Sequence, residues 1–284
     1  MKGIILAAGK GSRLNGTIGN KPKCLLRVGG KTLVERQVEA LKSVGIEDIA
    51  VVVGCQAEAV RQTCGQRITY VENIRFSQTN SLYSLWLARP LLYDGFVVMN
   101  CDVLFHPQML EDLVTSRHED ALLIAYQDDD APLGDEEMKI KVRRGRVVDI
   151  AKTLPSDEAD GENVGIVKFG PEGAELLTRL MDQRVAAGHL RDWAPRAFAD
   201  FASVRPLYTV GTRAYPWTEI DFPDDYERAV REILPAIEGE DVALSGEGRR
   251  PAHTTVIEQR DATIVVRGVR IQAGSDARPL ASGE

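Results

Sequence analysis

Short apolar runs alternate with segments of helical period through the first half of the chain, and this alternation restricts the possible folds. Strands are indicated by GIILAAG, DIAVVVG, ITYVEN, GFVVMNCD and ALLIAY. Helices are indicated between them by LVERQVEALKSVG, AEAVRQTCG, NSLYSLWLARPLL and PQMLEDLVTS. Strands that alternate with helices form βαβ units, whose strands run parallel. The sequence therefore predicts an α/β fold, a Rossmann-like three-layer sandwich with a mixed, mostly parallel sheet.

After residue 130 the pattern of the sequence changes. MKIKVRRGRVVDIAK consists of two short alternating runs around Arg144 and Gly145, which predicts a hairpin. NVGIVKF and VRPLYTV indicate further strands, EGAELLTRLMDQRVAAG a strong helix, and PDDYERAVREILPAI a closing helix. LRDWAPRAFADFA indicates a weaker helix, which we expect Pro195 to interrupt.

The composition changes near residue 238. We expect residues 1–238 to form one domain and residues 239–284 to form a linker and a C-terminal tail, because EGEDVALSGEGRRPAH is rich in glycine and charge. The last part, TTVIEQRDATIVVRGVRI, alternates like two strands. The pattern leaves open whether these strands form an arm, an addition to a sheet edge or part of another module.

Charge and composition exclude several classes of protein. The net charge of −7 opposes binding to nucleic acid, which requires an excess of Lys and Arg. No apolar run reaches the roughly 18 residues of a membrane span, and the first strand is followed at once by Gly, Lys and Arg, unlike a signal peptide. We expect a cytoplasmic protein. The four cysteines form no CxxC pair, which favours buried free thiols.

The segment LAAGKGSR follows the first strand and predicts a phosphate-binding turn. It lacks the order of Gly, Lys and Ser/Thr of a P-loop, and Leu14 replaces the third glycine of a dinucleotide fingerprint. Gly9 and Gly11 let the backbone approach a ligand closely, and Arg13 can donate two hydrogen bonds to phosphate oxygens. An ordinary turn with a solvated arginine is the alternative.

The next segment, GNKPKCLL, supplies Lys21 and Lys23 around a proline that stiffens the chain. A lysine held beside a glycine turn suits the stabilisation of charge on a phosphoryl group that is being transferred. With these residues the chain resembles the nucleotidyltransferases that make nucleotide-activated sugars and alcohols, which begin with L-A-A-G-x-G-x-R followed by P-K. The resemblance implies that Arg13 and Lys23 are catalytic. It also implies that the nucleotide lies along the turn, which comprises Leu6, Ala7, Ala8, Gly9 and Gly11.

Two aspartates are candidate magnesium ligands. Asp102 follows the apolar run FVVMNC, where the carboxyl end of a parallel strand is expected, and Pro107 places the next helix too late for Asp102 to cap it. Asp221 precedes Phe222 and Pro223, so that Phe222 is the expected cap residue of the closing helix. Magnesium prefers one or two carboxylates together with phosphate oxygens. The resembled family has acidic residues at both positions.

Asn80 and Ser81 open a helix with small polar side chains that can reach a nucleobase or ribose, although Asn80 is also a suitable N-cap. The N-S-L-Y-S-L element and the E-I-D ending most resemble choline-phosphate, inositol-phosphate and aminoethylphosphonate cytidylyltransferases. The resemblance spans about residues 1–236. It alone implies CTP as the nucleotide.

The acceptor site is predicted from a lysine and two aromatic segments. Lys152 matches a lysine that contacts the acceptor phosphate in relatives, and a solvated lysine of the hairpin is the alternative. Asp192 with Trp193, and Trp217 with Glu219, combine indole faces with carboxylates, which suits a small cationic group. Both tryptophans are equally compatible with core packing.

Together these features predict a Mg²⁺-dependent cytidylyltransferase. The enzyme would transfer CMP from CTP to a phosphorylated small alcohol or a phosphonate, such as phosphocholine or aminoethylphosphonate, and release pyrophosphate. One alternative is a sugar-1-phosphate nucleotidylyltransferase that uses another nucleotide. Another is a nucleotide-binding regulatory module without activity, against which the set of Lys23, Asp102 and Asp221 argues. The sequence leaves open whether the chain forms a homo-oligomer.

Overall fold

A computed structural model describes residues 1–14, 21–127, 133–245, 255–259 and 262–266. By their internal contacts the residues divide into two compact units, Met1–Ile237 and Glu238–Glu284, and each is considered by itself. In the described part of the chain, no helix combines the length and the apolar character that a membrane span requires. All four cysteines are free thiols, as predicted, but only Cys24 and Cys101 are buried, whereas Cys55 and Cys64 are half-buried.

The first unit contains a mixed nine-stranded sheet with the strand order β5-β4-β1-β6-β11-β8-β12-β10-β9. Its strands are β1 (Lys2–Ala7), β4 (Ile49–Val53), β5 (Thr69–Glu72), β6 (Phe96–Asn100), β8 (Ala121–Tyr126), β9 (Lys139–Arg143), β10 (Arg146–Ala151), β11 (Gly161–Phe169) and β12 (Tyr208–Gly211). Two small pairs accompany it: β2 (Arg27–Val28) with β3 (Lys31–Thr32), and β7 (Val103–Phe105) with β13 (Trp217–Glu219).

The helices are α1 (Leu33–Ser43), α2 (Ala57–Cys64), α3 (Ser81–Leu87), α4 (Pro107–Thr115), α5 (Pro171–Ala186), α6 (Ala194–Val204), α7 (Pro223–Arg228) and α8 (Leu234–Ser245). A π-helical segment, Ala229–Ile233, joins the last two. Short 3₁₀ turns lie at Ser12–Leu14, Lys23–Leu25, Arg89–Leu91 and Ser156–Glu158. Helix α1 begins with a capping box in which Thr32 and Glu35 satisfy each other's backbone N–H groups.

Helices cover both faces of the sheet and produce two hydrophobic cores. In β1, Ile4 and Leu6 belong to the core beneath α3, α5 and α6, whereas Ile5 and Ala7 belong to the core beneath α1, α2 and α4. This alternation follows from the two-residue period of a strand. A strand that is buried on both faces explains the continuous apolar run at the start of the sequence. The three-layer fold class is confirmed.

Parallel strands lie on both sides of β11. Strands β5, β4, β1 and β6 pair in parallel on one side, so their carboxyl ends lie at one edge, and β8 pairs in parallel with β12 on the other. The antiparallel pairings come mainly from β11 and from the β9–β10 hairpin, which is present as predicted around Arg144 and Gly145. Both turn residues have positive φ, of 53° and 72°, which suits a tight hairpin turn.

Two local predictions were wrong. Pro195 does not interrupt a helix but lies in the first turn of α6, where its missing N–H has no partner to lose. The predicted linker is helical as far as Ser245, because Glu, Asp, Val, Ala and Leu tolerate a helix and its single internal glycine costs only about 1 kcal/mol.

The second unit contains the two predicted tail strands. They are β14 (Thr255–Gln259) and β15 (Ala262–Val266), and they pair antiparallel with each other. The rest of the predicted linker, residues 246–253, lies outside the described residues. The domain boundary at residue 238 stays a prediction.

Candidate active site

A cavity of about 350 Å³ opens at the edge of the sheet where the parallel strands end. The predicted site residues that line it are Leu6, Ala8, Gly9, Gly11, Arg13, Lys23, Asn80, Ser81, Asp102, Lys152, Trp193, Glu219 and Asp221. They come from parts of the chain that are up to about 200 residues apart. The carboxyl edge of a parallel sheet is the usual place for a ligand in an open α/β fold.

The glycine turn lies directly against Lys23. Gly11 has a positive φ of 66°, and a Cβ at this position would approach the Lys23 Cγ to 2.7 Å. The Leu14 N–H donates a hydrogen bond of 3.0 Å to the Gly11 carbonyl, which closes the turn. Glycine is therefore required here for two reasons, the left-handed backbone and the close approach of Lys23.

Lys23 lies between two carboxylates. Its Nζ contacts Asp102 Oδ2 at 3.2 Å and also donates to Asp221 Oδ1. Burial acts to lower the pKa of Lys23, but the negative charges of Asp102 and Asp221 outweigh it and raise that pKa above its usual value. The ammonium group therefore stays charged in the site.

Arg13 approaches the same cluster from the other side. Its Nη1 lies 2.9 Å from Asp221 Oδ2, and its Nη2 lies 3.3 Å from Glu136 Oε2. Its guanidinium also lies 5.2 Å from the centre of the Phe222 ring. The side chain is about half exposed, so part of the guanidinium can still reach a ligand in the cavity.

The two aspartates occupy the positions that the sequence predicts. Asp102 lies in the turn between β6 and β7, and His106 caps α4 instead. Asp221 precedes α7, whose N-cap is Phe222. Neither carboxylate is needed as a helix cap, so both are available in the cavity.

Glu219 joins these aspartates, although the sequence analysis assigned it to the acceptor. Asp102, Glu219 and Asp221 each offer a carboxylate oxygen, and the three oxygens lie within 4.8 Å of one another. Residues 219 and 221 are two apart at the end of β13, so the alternation of a strand could have indicated that they face the same way.

The three carboxylates fit a divalent cation. Asp102 Oδ1 is buried and has no hydrogen-bond partner among the described residues, which leaves it able to coordinate a cation. Glu219 lines the cavity beside both aspartates. Partial desolvation of its carboxylate in the cavity, with the charges of Asp102 and Asp221, raises the pKa of Glu219 to about 8. A bound cation would reverse that effect, and oxygen ligands of this kind suit Mg²⁺.

The far end of the cavity combines charged and aromatic groups. Lys152 Nζ lies 3.2 Å from Glu136 Oε2 and 5.3 Å from the centre of the Trp193 ring. The hydrogen bond from Lys152 lowers the pKa of Glu136, so this carboxylate is charged. Glu136 thus bridges Arg13 and Lys152 and links the two ends of the cavity.

Ser81 and Asn80 lie where helices α3 and α6 begin. The Asn80 side chain accepts a hydrogen bond of 2.8 Å from the Ser81 N–H and caps α3, as the sequence analysis expected. The Ser81 hydroxyl accepts from the Ala194 N–H at 2.8 Å. This hydrogen bond holds the predicted nucleotide residues beside Trp193.

The remaining three predicted residues do not line the cavity. The Ala7 side chain lies in the core on the opposite face of β1 from Leu6. Asp192 forms an ion pair of 2.8 Å with Arg184. Trp217 packs against the core beneath α4, so the predicted box of two tryptophans is not assembled.

The cavity is also lined by residues that were not predicted from the sequence. They are Asn73, Phe76, Thr79, Ser84, Asn100, Cys101, Glu136, Met138, Asn163 and Pro195. Asn73, Thr79 and Ser84 form one hydrogen-bonded group, with 3.0 Å from the Asn73 amide to each hydroxyl. Asn73 and Asn100 follow or end parallel strands, a position that could have identified them.

Comparisons with known proteins agree with this geometry. The family model described as "MobA-like NTP transferase domain" matches residues 3–196. The choline-phosphate cytidylyltransferase of Streptococcus pneumoniae is 28% identical over 82% of this chain and 98% of its own length. The bifunctional IPC transferase and DIPP synthase of Rubrobacter xylanophilus is 30% identical over 81% of this chain, which spans only 51% of that protein. The structure of the inositol-1-phosphate CTP transferase from T. maritima has a TM-score of 0.69 and 23% identity, and covers 84% of this chain and 96% of its own.

Proposed function

The chain belongs to the MobA-like NTP transferase domain family, and from this premise we propose that it transfers CMP from CTP to a small acceptor that carries a phosphate or phosphonate. The observation that carries the proposal is the convergence of Arg13 and Lys23 with three carboxylates beside the glycine turn. The choice of CTP is supported by the names of the relatives, two of which are a cytidylyltransferase and a CTP transferase.

The nucleotide lies along the glycine turn in this proposal. Backbone N–H groups between Ala8 and Gly11 face the triphosphate, and the base lies toward Asn80 and Ser81, where Asn73 and Thr79 add further polar groups. Arg13 and Lys23 neutralise charge on the phosphates. The positive φ of Gly11 keeps the turn close enough to Lys23 for both to contact one ligand.

The reaction requires positioning and charge neutralisation. An oxygen of the acceptor phosphate attacks the α-phosphorus of CTP, the bond to the β-phosphate oxygen breaks, and its electron pair leaves with pyrophosphate. The acceptor is already an anion, so no strong base is needed. Asp102 and Asp221, with Glu219, would hold Mg²⁺, which supplies positive charge to the phosphate oxygens. Lys23 and Arg13 stabilise the charge that develops on the leaving group.

The acceptor lies at the end of the cavity with Lys152, Glu136 and Trp193. Lys152 contacts the acceptor phosphate in this proposal, and the Trp193 face with the Glu136 or Glu219 carboxylate accommodates a cationic head group. Phosphocholine and aminoethylphosphonate meet both requirements. The name of the Streptococcus pneumoniae relative supports phosphocholine.

Pyrophosphate release with pairs of nucleotide and acceptor tests the proposal. CTP with phosphocholine or aminoethylphosphonate should be turned over at least tenfold faster than UTP, dTTP or GTP with hexose phosphates. Faster release from a hexose phosphate would identify a sugar-1-phosphate nucleotidylyltransferase instead. No release from any pair, with Mg²⁺ present, would contradict enzymatic activity altogether.

A further inference from the structure

A buried polar side chain interrupts the apolar face of α1. This face consists of Leu33, Val34, Val38 and Leu41, and Gln37 lies among them with only 1% of its surface exposed. Burying an amide without hydrogen bonds costs about 1 to 3 kcal/mol. A residue that breaks the apolar pattern of a helix at this cost usually has a specific partner or role.

The partners of Gln37 are in the turn that carries Asp102. The Gln37 Nε2 donates hydrogen bonds to the carbonyl of Asn100 at 2.8 Å and to the carbonyl of Val103 at 3.1 Å. These two carbonyls flank Cys101 and Asp102, so one amide group bridges both ends of the turn. Because both partners are acceptors, they fix which end of the amide carries the nitrogen.

The same turn is held from the opposite side by the backbone. The carbonyl of Asp102 accepts a hydrogen bond of 3.0 Å from the N–H of Ile220, which lies between Glu219 and Asp221. The pairing of β7 with β13, in which Val103 lies opposite Glu219, continues this contact, so backbone pairing joins the turn to the segment that carries the other two carboxylates. Gln37 holds the same turn to α1.

The oxygen of the Gln37 amide indicates that this side chain does more than fill space in the core. Its Oε1 is buried and accepts no hydrogen bond from the described residues. Leucine or methionine would fill the same core without that cost, but neither could donate to the two carbonyls. The polar residue is thus explained by the turn that it supports.

We propose that Gln37 is a positioning residue that holds the Asp102 carboxylate in register with Glu219 and Asp221. Gln37 touches neither substrate nor reacting atoms and acts through the backbone of the turn. The inference rests on the proposed function in one respect, namely that these carboxylates hold the metal. Removing such a supporting hydrogen bond typically weakens metal affinity or activity by about 10- to 100-fold.

The test compares Gln37→Met with Val38→Ala. Gln37→Met keeps most of the volume but removes both hydrogen bonds, whereas Val38→Ala weakens the core on the same helix and leaves both hydrogen bonds in place. Each full-length variant is measured for thermal unfolding, for Mn²⁺ affinity by electron paramagnetic resonance, and for the Mg²⁺ concentration that gives half-maximal turnover at saturating CTP. Gln37→Glu is a second variant, which as a neutral acid keeps the shape and one of the two hydrogen bonds.

We expect Gln37→Met to raise at least one of two constants, the Kd for Mn²⁺ and the Mg²⁺ concentration for half-maximal turnover, by about tenfold or more. Gln37→Glu should lie between Gln37→Met and wild type, and Val38→Ala should keep both constants even though it unfolds at a lower temperature. If neither constant of Gln37→Met differs from that of Val38→Ala, the positioning role is wrong. Should Gln37→Met not fold, the same comparison with Gln37→Glu decides.

Failure of the proposed function would look different. Wild-type protein that neither binds Mn²⁺ nor transfers CMP would overturn the metal site and the inference with it. Wild-type protein that binds Mn²⁺ without transferring CMP would contradict only the proposed function, because the Mn²⁺ affinities of the variants still test Gln37.

Discussion

Replacing Gly11 by alanine should separate the position of Lys23 from the stability of the fold. The added Cβ would lie 2.7 Å from Lys23 Cγ and 3.1 Å from the Lys23 backbone nitrogen. Ordinary contacts between carbon atoms are about 3.5 to 4.0 Å, so Lys23 must move by roughly 1 Å. A displacement of that size at a catalytic group costs on the order of 100-fold in rate.

Gly45→Ala is the matched control. Gly45 also has a positive φ, of 80°, but a Cβ there would meet nothing within 4 Å. It lies just past the end of α1, where the Ile46 N–H donates to the Leu41 carbonyl at 2.9 Å, the hydrogen bond of a left-handed helix end. Both variants therefore carry the left-handed backbone penalty of about 1 to 2 kcal/mol, and only Gly11→Ala displaces Lys23.

The assay measures thermal unfolding and steady-state pyrophosphate release for both variants. Gly11→Ala should lose about 100-fold in kcat, whereas Gly45→Ala should keep near-normal kcat while folded. Equal kcat values for the two variants would refute the argument that Gly11 is required by the approach of Lys23.

Four further predictions concern individual side chains in the cavity. Asp102→Ala and Asp221→Ala should each abolish turnover without unfolding the protein, and near-normal activity at saturating Mg²⁺ would refute that ligand. Lys23→Ala should lower kcat more than it raises the KM for CTP, because the contact of Lys23 with the phosphates strengthens as charge develops in the transition state. A larger change in KM than in kcat would show that Lys23 mainly binds the ground state. Trp193→Leu should cost roughly tenfold in kcat/KM for phosphocholine and aminoethylphosphonate but little for hydroxyethylphosphonate and inositol phosphate, whereas equal losses would indicate packing alone. Glu136→Gln should lower the Kd for pyrophosphate in calorimetry, since it releases Lys152 and the Nη2 of Arg13, and an unchanged Kd would show that the ion pairs do not compete with phosphate.

The sequence predicts the fold and the centre of the site well because both depend on local patterns. The buried run of β1 and the capping positions around Asp102 and Asp221 follow from periodicity and helix-start chemistry within a few residues. The prediction of Glu219 as an acceptor residue depended on its neighbour Trp217. In the structure, the two side chains have different surroundings, a core for Trp217 and a cavity for Glu219.

The acceptor end was harder to predict because its residues meet through tertiary structure. Asp192 has an acidic side chain beside Trp193 in the sequence. In the structure its carboxylate forms an ion pair with Arg184, which lies near the end of α5. Glu136 has no motif around it and joins Arg13 and Lys152 only once the sheet has formed. Pairings of this kind have no periodic signal in the sequence.

The place of Lys23 between Asp102 and Asp221 has a consequence for the order of binding. The ammonium group holds Asp102 Oδ2 and Asp221 Oδ1. A cation coordinated by these two oxygens would displace Lys23, and a triphosphate alongside would give the displaced ammonium a new partner. Metal and nucleotide should then strengthen each other's binding by the same factor, as thermodynamic linkage requires. The lysine thus acts as an internal counterion that offsets part of the negative charge of the acidic cluster until both ligands bind.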